Sequence, residues 1–196
     1  MAGPLLIVDG TVIQTFRSVL KFENGENDPY FNGHKWKHGI NMLAFVDYTG
    51  KIWWNTRVYP GGFVDQQIWN IANLRNYFSE SKVTIIGDRG FTFNKKNEQH
   101  PINSFKPFSY GNANLSQTEK EISHFISSRR SMVEHVFKRI KDWKIIGGLC
   151  RHFIPFRQGD SSKYDYLNID HVLDVICCIH NIDIETHPMR VGNNNI

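Results

Sequence analysis

Ser127-Ser128-Arg129-Arg130-Ser131-Met132-Val133-Glu134-His135-Val136-Phe137-Lys138-Arg139-Ile140-Lys141 is the stretch whose spacing decides how the rest of the chain is read. At about 100° of turn per residue, Ile122, Phe125, Ile126, Val133, Val136, Phe137 and Ile140 fall within roughly 60° of one line. Arg130, Glu134 and Lys141 fall together at about 80–120° from Ile122, along one edge of that stripe. The spacing predicts a helix that packs its stripe on a core and lays two cations and a carboxylate along the rim. Such a rim either borders a polar site or is a solvated edge with i,i+4 Arg–Glu pairing. Two further carboxylates in suitable surroundings would decide for the site.

The first candidate follows Leu5-Leu6-Ile7-Val8, an unbroken apolar run of the kind that forms a strand covered on both faces. Asp9-Gly10-Thr11 comes next, and a charge carried straight out of a core strand is costly unless something offsets it. A bound divalent cation would do so. A simple turn at Asp9-Gly10 is the other reading, against which Val12-Ile13 resumes the apolar pattern. Lys82-Val83-Thr84-Ile85-Ile86 repeats the device, ending in Gly87-Asp88-Arg89-Gly90-Phe91, where glycines on either side of Asp88-Arg89 let backbone approach a ligand.

Between these strands, Ile40–Phe45 and Lys51–Val58 read as a hairpin turning at Asp47-Tyr48-Thr49-Gly50. Trp53 and Trp54 then point to opposite faces, one into the core and one outward. Ahead of the hairpin, His34-Lys35-Trp36-Lys37-His38 interleaves bases with an aromatic. Lys35 and Lys37 could hold phosphates while Trp36 stacks on a base, or the segment could be an exposed strand start blunted by lysine. After Tyr59-Pro60-Gly61-Gly62, a helix runs to about Phe78, with Asp65 favoured as its cap over metal contact. Thr92 to Leu115 is aperiodic and basic through Lys95, Lys96, His100 and Lys106. Ser116-Gln117-Thr118-Glu119 is a capping box that opens the long helix, Ile145-Ile146-Gly147-Gly148 closes it, and Ile169–Ile182 forms a last helix. His38 and His135 read as exposed residues rather than proton shuttles.

The composition is that of an ordinary globular domain, with a formal charge of +4 that permits an anionic partner without requiring one. No apolar run approaches the ~18–20 residues of a membrane span, and the N-terminus lacks a signal-peptide pattern. Cys150, Cys177 and Cys178 lack metal-type spacing. The adjacent pair reads as reduced core thiols rather than, with His180, a zinc site. Residues 1–187 are expected to form one domain and 188–196 a disordered tail.

Arg130, Glu134 and Lys141, at intervals of Arg-x3-Glu-x6-Lys, resemble the last signature of DDE transposases, in which the Glu is the third metal-binding carboxylate; where that signature opens with Tyr, this chain has Ser127. Val8-Asp9-Gly10-Thr11, Phe31-Asn32-Gly33-His34-Lys35, Val46-Asp47-Tyr48-Thr49-Gly50, Tyr59-Pro60-Gly61-Gly62-Phe63-Val64-Asp65, Gly87-Asp88-Arg89-Gly90-Phe91 and His180-Asn181 more closely resemble the Harbinger-type nuclease domain. The resemblance covers nearly the whole chain. It implies an α/β, ribonuclease H-like fold, a mixed central sheet flanked by helices, as in the DDE recombinase catalytic core. It implies two Mg²⁺ ions, replaceable by Mn²⁺, with Asp9 bridging both, Asp88 on one and Glu134 on the other. Such ions, about 3.5–4 Å apart, activate the attacking oxygen and hold the leaving one. Arg130 and Lys141 would contact DNA phosphates or steady the carboxylates. The implied reaction is cleavage at transposon ends and transfer of the 3′-hydroxyl to target DNA, in the nucleus if the organism is eukaryotic. The implied partners are DNA and a separate Myb-like DNA-binding protein, and a homodimer is compatible with this reading. The alternative is a domesticated module that binds DNA or protein without cutting.

Overall fold

The computed structural model describes residues 3–15, 28–94, 103–107, 115–147 and 167–189. Cys150, the polar loop at Gly159-Asp160-Ser161-Ser162, most of the basic stretch with Lys95, Lys96 and His100, and the tail beyond Met189 lie outside them. Strand β1 (Leu5–Gln14) lies at the centre of a mixed sheet. It pairs antiparallel with β3 (Lys37–Val46), which in turn carries β2 (Phe31–Asn32), β4 (Ile52–Asn55) and β5 (Tyr59–Pro60). On its other side β1 pairs parallel with β6 (Thr84–Ile86), which pairs parallel with β7 (Ser104–Phe105). Asp9 therefore sits inside a long strand, not at its end, and Asp88 follows the sixth strand rather than the fourth. The two-residue β7 lies inside the aperiodic stretch, too short to leave an alternating pattern.

Alternation along β1 sorts its side chains onto two cores. Ile7 and Ile13 join Ile40, Met42, Ala44 and Ile86 beneath helices α3 (Gln117–Lys141) and α4 (Leu167–Thr186). Leu6 and Val8 join Leu43, Phe45 and Ile85 beneath α1 (Asp65–Ile71) and α2 (Leu74–Ser79). The helix expected to run unbroken to Phe78 is broken at Asn73, whose φ of +52° is a left-handed conformation that Asn tolerates. Trp69 and Phe78, stacked within the second core, secure the two short helices to the sheet.

Ser116 caps α3: its hydroxyl accepts from the Glu119 N–H, while Glu119 accepts from the Ser116 N–H at 2.8 Å. The helix ends at Lys141, six residues before Gly147. Its apolar stripe is buried from Ile126 to Ile140, but Ile122 and Phe125 are exposed while Ser123, beside them in the first turns, is buried. Cys177 is buried and Cys178 exposed, so the pair is not wholly core. Trp53 and Trp54 do point opposite ways, yet neither is buried. Trp54 stacks on Tyr77 at 5.6 Å, and Trp53 donates to the Asp47 carboxylate at 2.9 Å.

The His180-Asn181 pair fastens α4 to the hairpin. The ring Nε2 of buried His180 lies 3.0 Å from the Gly50 carbonyl, where the backbone turns at φ +91°. Asn181 accepts from the Ile52 N–H and donates to the Ile52 carbonyl, each at 2.8 Å. Among the described residues no helix is long and apolar enough to cross a membrane.

Candidate active site

Asp9 belongs to the odd-numbered side of β1 and faces α3. Parallel pairing sets Ile7 beside Ile86, so Asp9 and Asp88 each lie two residues beyond a matched pair. From the helix, Arg130 reaches Asp9 Oδ2 at 3.5 Å, and the Gly10 N–H donates to Asp9 Oδ1 at 2.9 Å. Burial pushes the Asp9 carboxyl up to about 6. Arg130 and the Gly10 N–H oppose that rise, while Asp65 and Asp88 add to it. The Nε of Arg130 is itself buried with no hydrogen-bond partner among the described residues, so Asp9 is the guanidinium's one recorded ion-pair partner there.

Asp65 does not cap α1. Val64 is the cap residue, and its N–H donates to Gln67 at 3.0 Å. The Asp65 side chain instead lies against Gly10 on the opposite face of β1 from Asp9. A Cβ placed at Gly10 would stand 1.9 Å from Asp65 Oδ1, so only glycine leaves room for the carboxylate there. The Asn41 amide holds it in place, donating to Asp65 Oδ1 at 3.1 Å and to the Phe63 carbonyl at 2.9 Å. Burial raises the Asp65 pKa, and Asp88 adds to the rise.

A cavity of about 530 Å³ opens here. Its lining mixes charges: Asp9, Asp65 and Glu134 supply carboxylates, and Lys35, Lys138 and Lys141 supply ammonium groups, with Glu134, Lys138 and Lys141 all carried by α3. Asp88 is not part of this lining but is near enough to act electrostatically on both Asp9 and Asp65. Lys141 is pushed down to about 8 by burial, with Lys35 and Lys37 contributing like-charge repulsion. Of the cations named from the sequence, Lys35 and Lys141 stand in the cavity wall, Lys37 lies within electrostatic range of Lys141, and Arg130 lies on Asp9. His38 pairs instead with Asp28 at 2.9 Å, and His135 is exposed on α3.

Lys138 is the cavity residue the sequence reading missed. It lies at roughly 160° on the same wheel, just beyond the rim marked by Arg130, Glu134 and Lys141. The i,i+4 step from Glu134 was the available signal.

The donor set suits a hard divalent cation, being carboxylate oxygen, with the buried Asn41 Oδ1 as a further oxygen that lacks a hydrogen-bond partner among the described residues. Among those residues, however, no three acidic, imidazole or thiol groups stand close enough together to enclose one ion. The cation that Asp9 meets is the Arg130 guanidinium, 3.5 Å from its Oδ2.

No curated protein and no solved structure matches the chain. Residues 8–181 match the family described as DDE superfamily endonuclease, a span running from the residue before Asp9 to Asn181 of the α4 clamp. With most of its length inside that match, the chain belongs to the DDE superfamily endonucleases.

Proposed function

We propose that the chain is the catalytic domain of a Harbinger-type transposase with a ribonuclease H-like fold, cutting phosphodiester bonds at element ends and joining 3′-hydroxyls to target DNA. The observation that carries this reading is the cavity itself, which gathers acidic groups from β1, α1 and α3 together with Lys35, Lys138 and Lys141. DDE endonucleases imply divalent metal, and in this reading Asp9, Asp88 and Glu134 hold two Mg²⁺ or Mn²⁺ ions. When bound, such ions supply a stronger attacking oxygen and charge relief on the leaving one.

The chain's own residues supply binding and orientation. Lys35, Lys138 and Lys141 draw the phosphate backbone along the cavity and so bring one phosphorus over the carboxylates. Arg130 fixes the rotamer of Asp9 and offsets part of its buried charge. Asp65, held by Asn41, adds a fourth carboxylate from the far side of β1. The proposed setting is the nucleus of a eukaryote, with a Myb-like protein recognising the element ends and a homodimer bringing two ends together.

A supercoiled-plasmid nicking assay tests the reading. The native chain nicks with Mg²⁺ or Mn²⁺ and stops with chelator, and Asp88→Asn and Glu134→Gln lose at least about 100-fold while remaining folded. Native-level nicking by either variant removes that carboxylate from the site. A second reading, a domesticated module that binds DNA or protein without cutting, is favoured by the Arg130–Asp9 pair. It predicts no nicking at any metal concentration.

Lys141 gives the site a pH dependence. Its proton leaves as pH rises through about 8, so DNA affinity falls between roughly pH 7 and 9. Lys141→Ala removes this fall and shallows the plot of log affinity against log salt by about 0.9. Identical pH and salt profiles for variant and native chain would refute the contact.

A further inference from the structure

The turn between β2 and β3 carries a feature the cutting reaction does not use. Trp36 is 82% exposed, more than any other large apolar residue among those described. It also adopts φ +50°, a left-handed conformation that is strained for a bulky side chain and open without penalty to glycine. A strained residue that is also exposed gains nothing for the fold, which directs attention to a ligand.

The turn is held rather than loose. Buried Asn32 accepts from the Lys35 N–H at 2.8 Å and donates to the Gly61 carbonyl at 2.7 Å. Phe31 supports the Trp36 ring in a T-shaped contact at 6.1 Å that leaves most of the indole exposed. The residue before it, Lys35, lines the cavity, and the residue after it, Lys37, acts electrostatically on Lys141. The indole thus stands in the chain between two lysines, one lining the cavity and one within electrostatic range of Lys141.

We propose that Trp36 is a stacking platform for an unpaired DNA base beside the phosphodiester held in the cavity. The proposal rests on the nuclease reading and extends it to a nucleobase subsite. Any base presents a π-face, so the subsite holds a strand in place without reading its sequence. Lysine contacts alone would leave the strand free to slide, and one stacked base fixes which phosphate lies over the carboxylates.

The test measures binding of the full chain, in chelator, to a duplex with a short single-stranded overhang and to a series in which each overhang position in turn is abasic. Trp36→Ala weakens binding to the intact overhang roughly 10-fold, and Trp36→Phe retains most of the affinity. At one abasic position native chain and Trp36→Ala bind equally, which locates the stacked base. Trp36→Gly binds as weakly as Trp36→Ala yet melts at a higher temperature than the native chain, because the strain is relieved. Native binding by Trp36→Ala, or the same loss at every abasic position, overturns the stacking role and leaves the nuclease reading standing; the first result would turn the exposed ring over to a protein contact. A native chain that binds no DNA in this assay overturns the nuclease reading as well.

Discussion

Replacing Asp9 with Asn is expected to make the metal-free protein more stable while reducing its nicking at least about 100-fold. Burial raises the Asp9 pKa from 3.8 to about 6, so between those values the folded chain holds a proton that the unfolded chain releases. Stability therefore falls as pH rises through that window, and the whole penalty is present at pH 7 and above. Each pH unit is worth about 1.4 kcal/mol, and allowing for residual solvent contact and the loss of the Arg130 pairing, the gain from Asn is roughly 2 kcal/mol. For a chain of this size that raises Tm by about 4–8 °C at pH 7.5. Below pH 4 the native carboxyl is already neutral and the gain disappears. Thermal melts of both proteins in chelator at the two pH values decide the matter. A variant no more stable than the native chain at pH 7.5 would show that the site does not hold Asp9 at a cost. One that still nicks would show that the carboxylate is not needed.

Gly10→Ala is expected to disable the site without altering any charged group. The added methyl would occupy the space of the Asp65 carboxylate, standing 1.9 Å from Oδ1 and 2.3 Å from Cγ. The obstruction is a side-chain end rather than backbone, so Asp65 swings away and the strand keeps its pairing with Leu43. Nicking should fall roughly 10–100-fold, the range for losing a carboxylate that supports a metal site. Asp65→Asn should match it, and the double variant should be no worse than either single one, because both changes remove the same group. Folded Gly10→Ala that nicks at the native rate would separate Asp65 from the chemistry.

The sequence showed the positions that break a pattern. Asp9 and Asp88 interrupt apolar strands, where a carboxylate calls for an explanation, and Glu134 lies on the margin of a helical stripe. The alternation of strand and helix pointed to an α/β fold, and the structure is a mixed sheet with helices on both faces. Asp65 was harder to place, because an acidic residue at a helix start normally serves the helix. Its direction depends on the missing Cβ of Gly10, on a strand distant in sequence. Lys138 fell outside an edge drawn too narrowly on the helical wheel. Cys178 lies about 100° round α4 from buried Cys177 and off the stripe of Ile169, Leu173, Ile176 and Ile184, which the helical period does encode. The exposure of Ile122 and Phe125 on the stripe of α3 is not written in the period.

The grip of Asn181 on Ile52 bears on how copies of this protein can meet. One amide side chain satisfies both backbone groups of Ile52, much as a neighbouring strand would. The outer flank of β4 is thereby closed at that residue to an extended peptide seeking to lengthen the sheet. A strand added at Ile52 would first have to dislodge α4. Two copies working on one DNA molecule would then meet elsewhere than at this flank, which leaves the packing of α4 on the hairpin undisturbed.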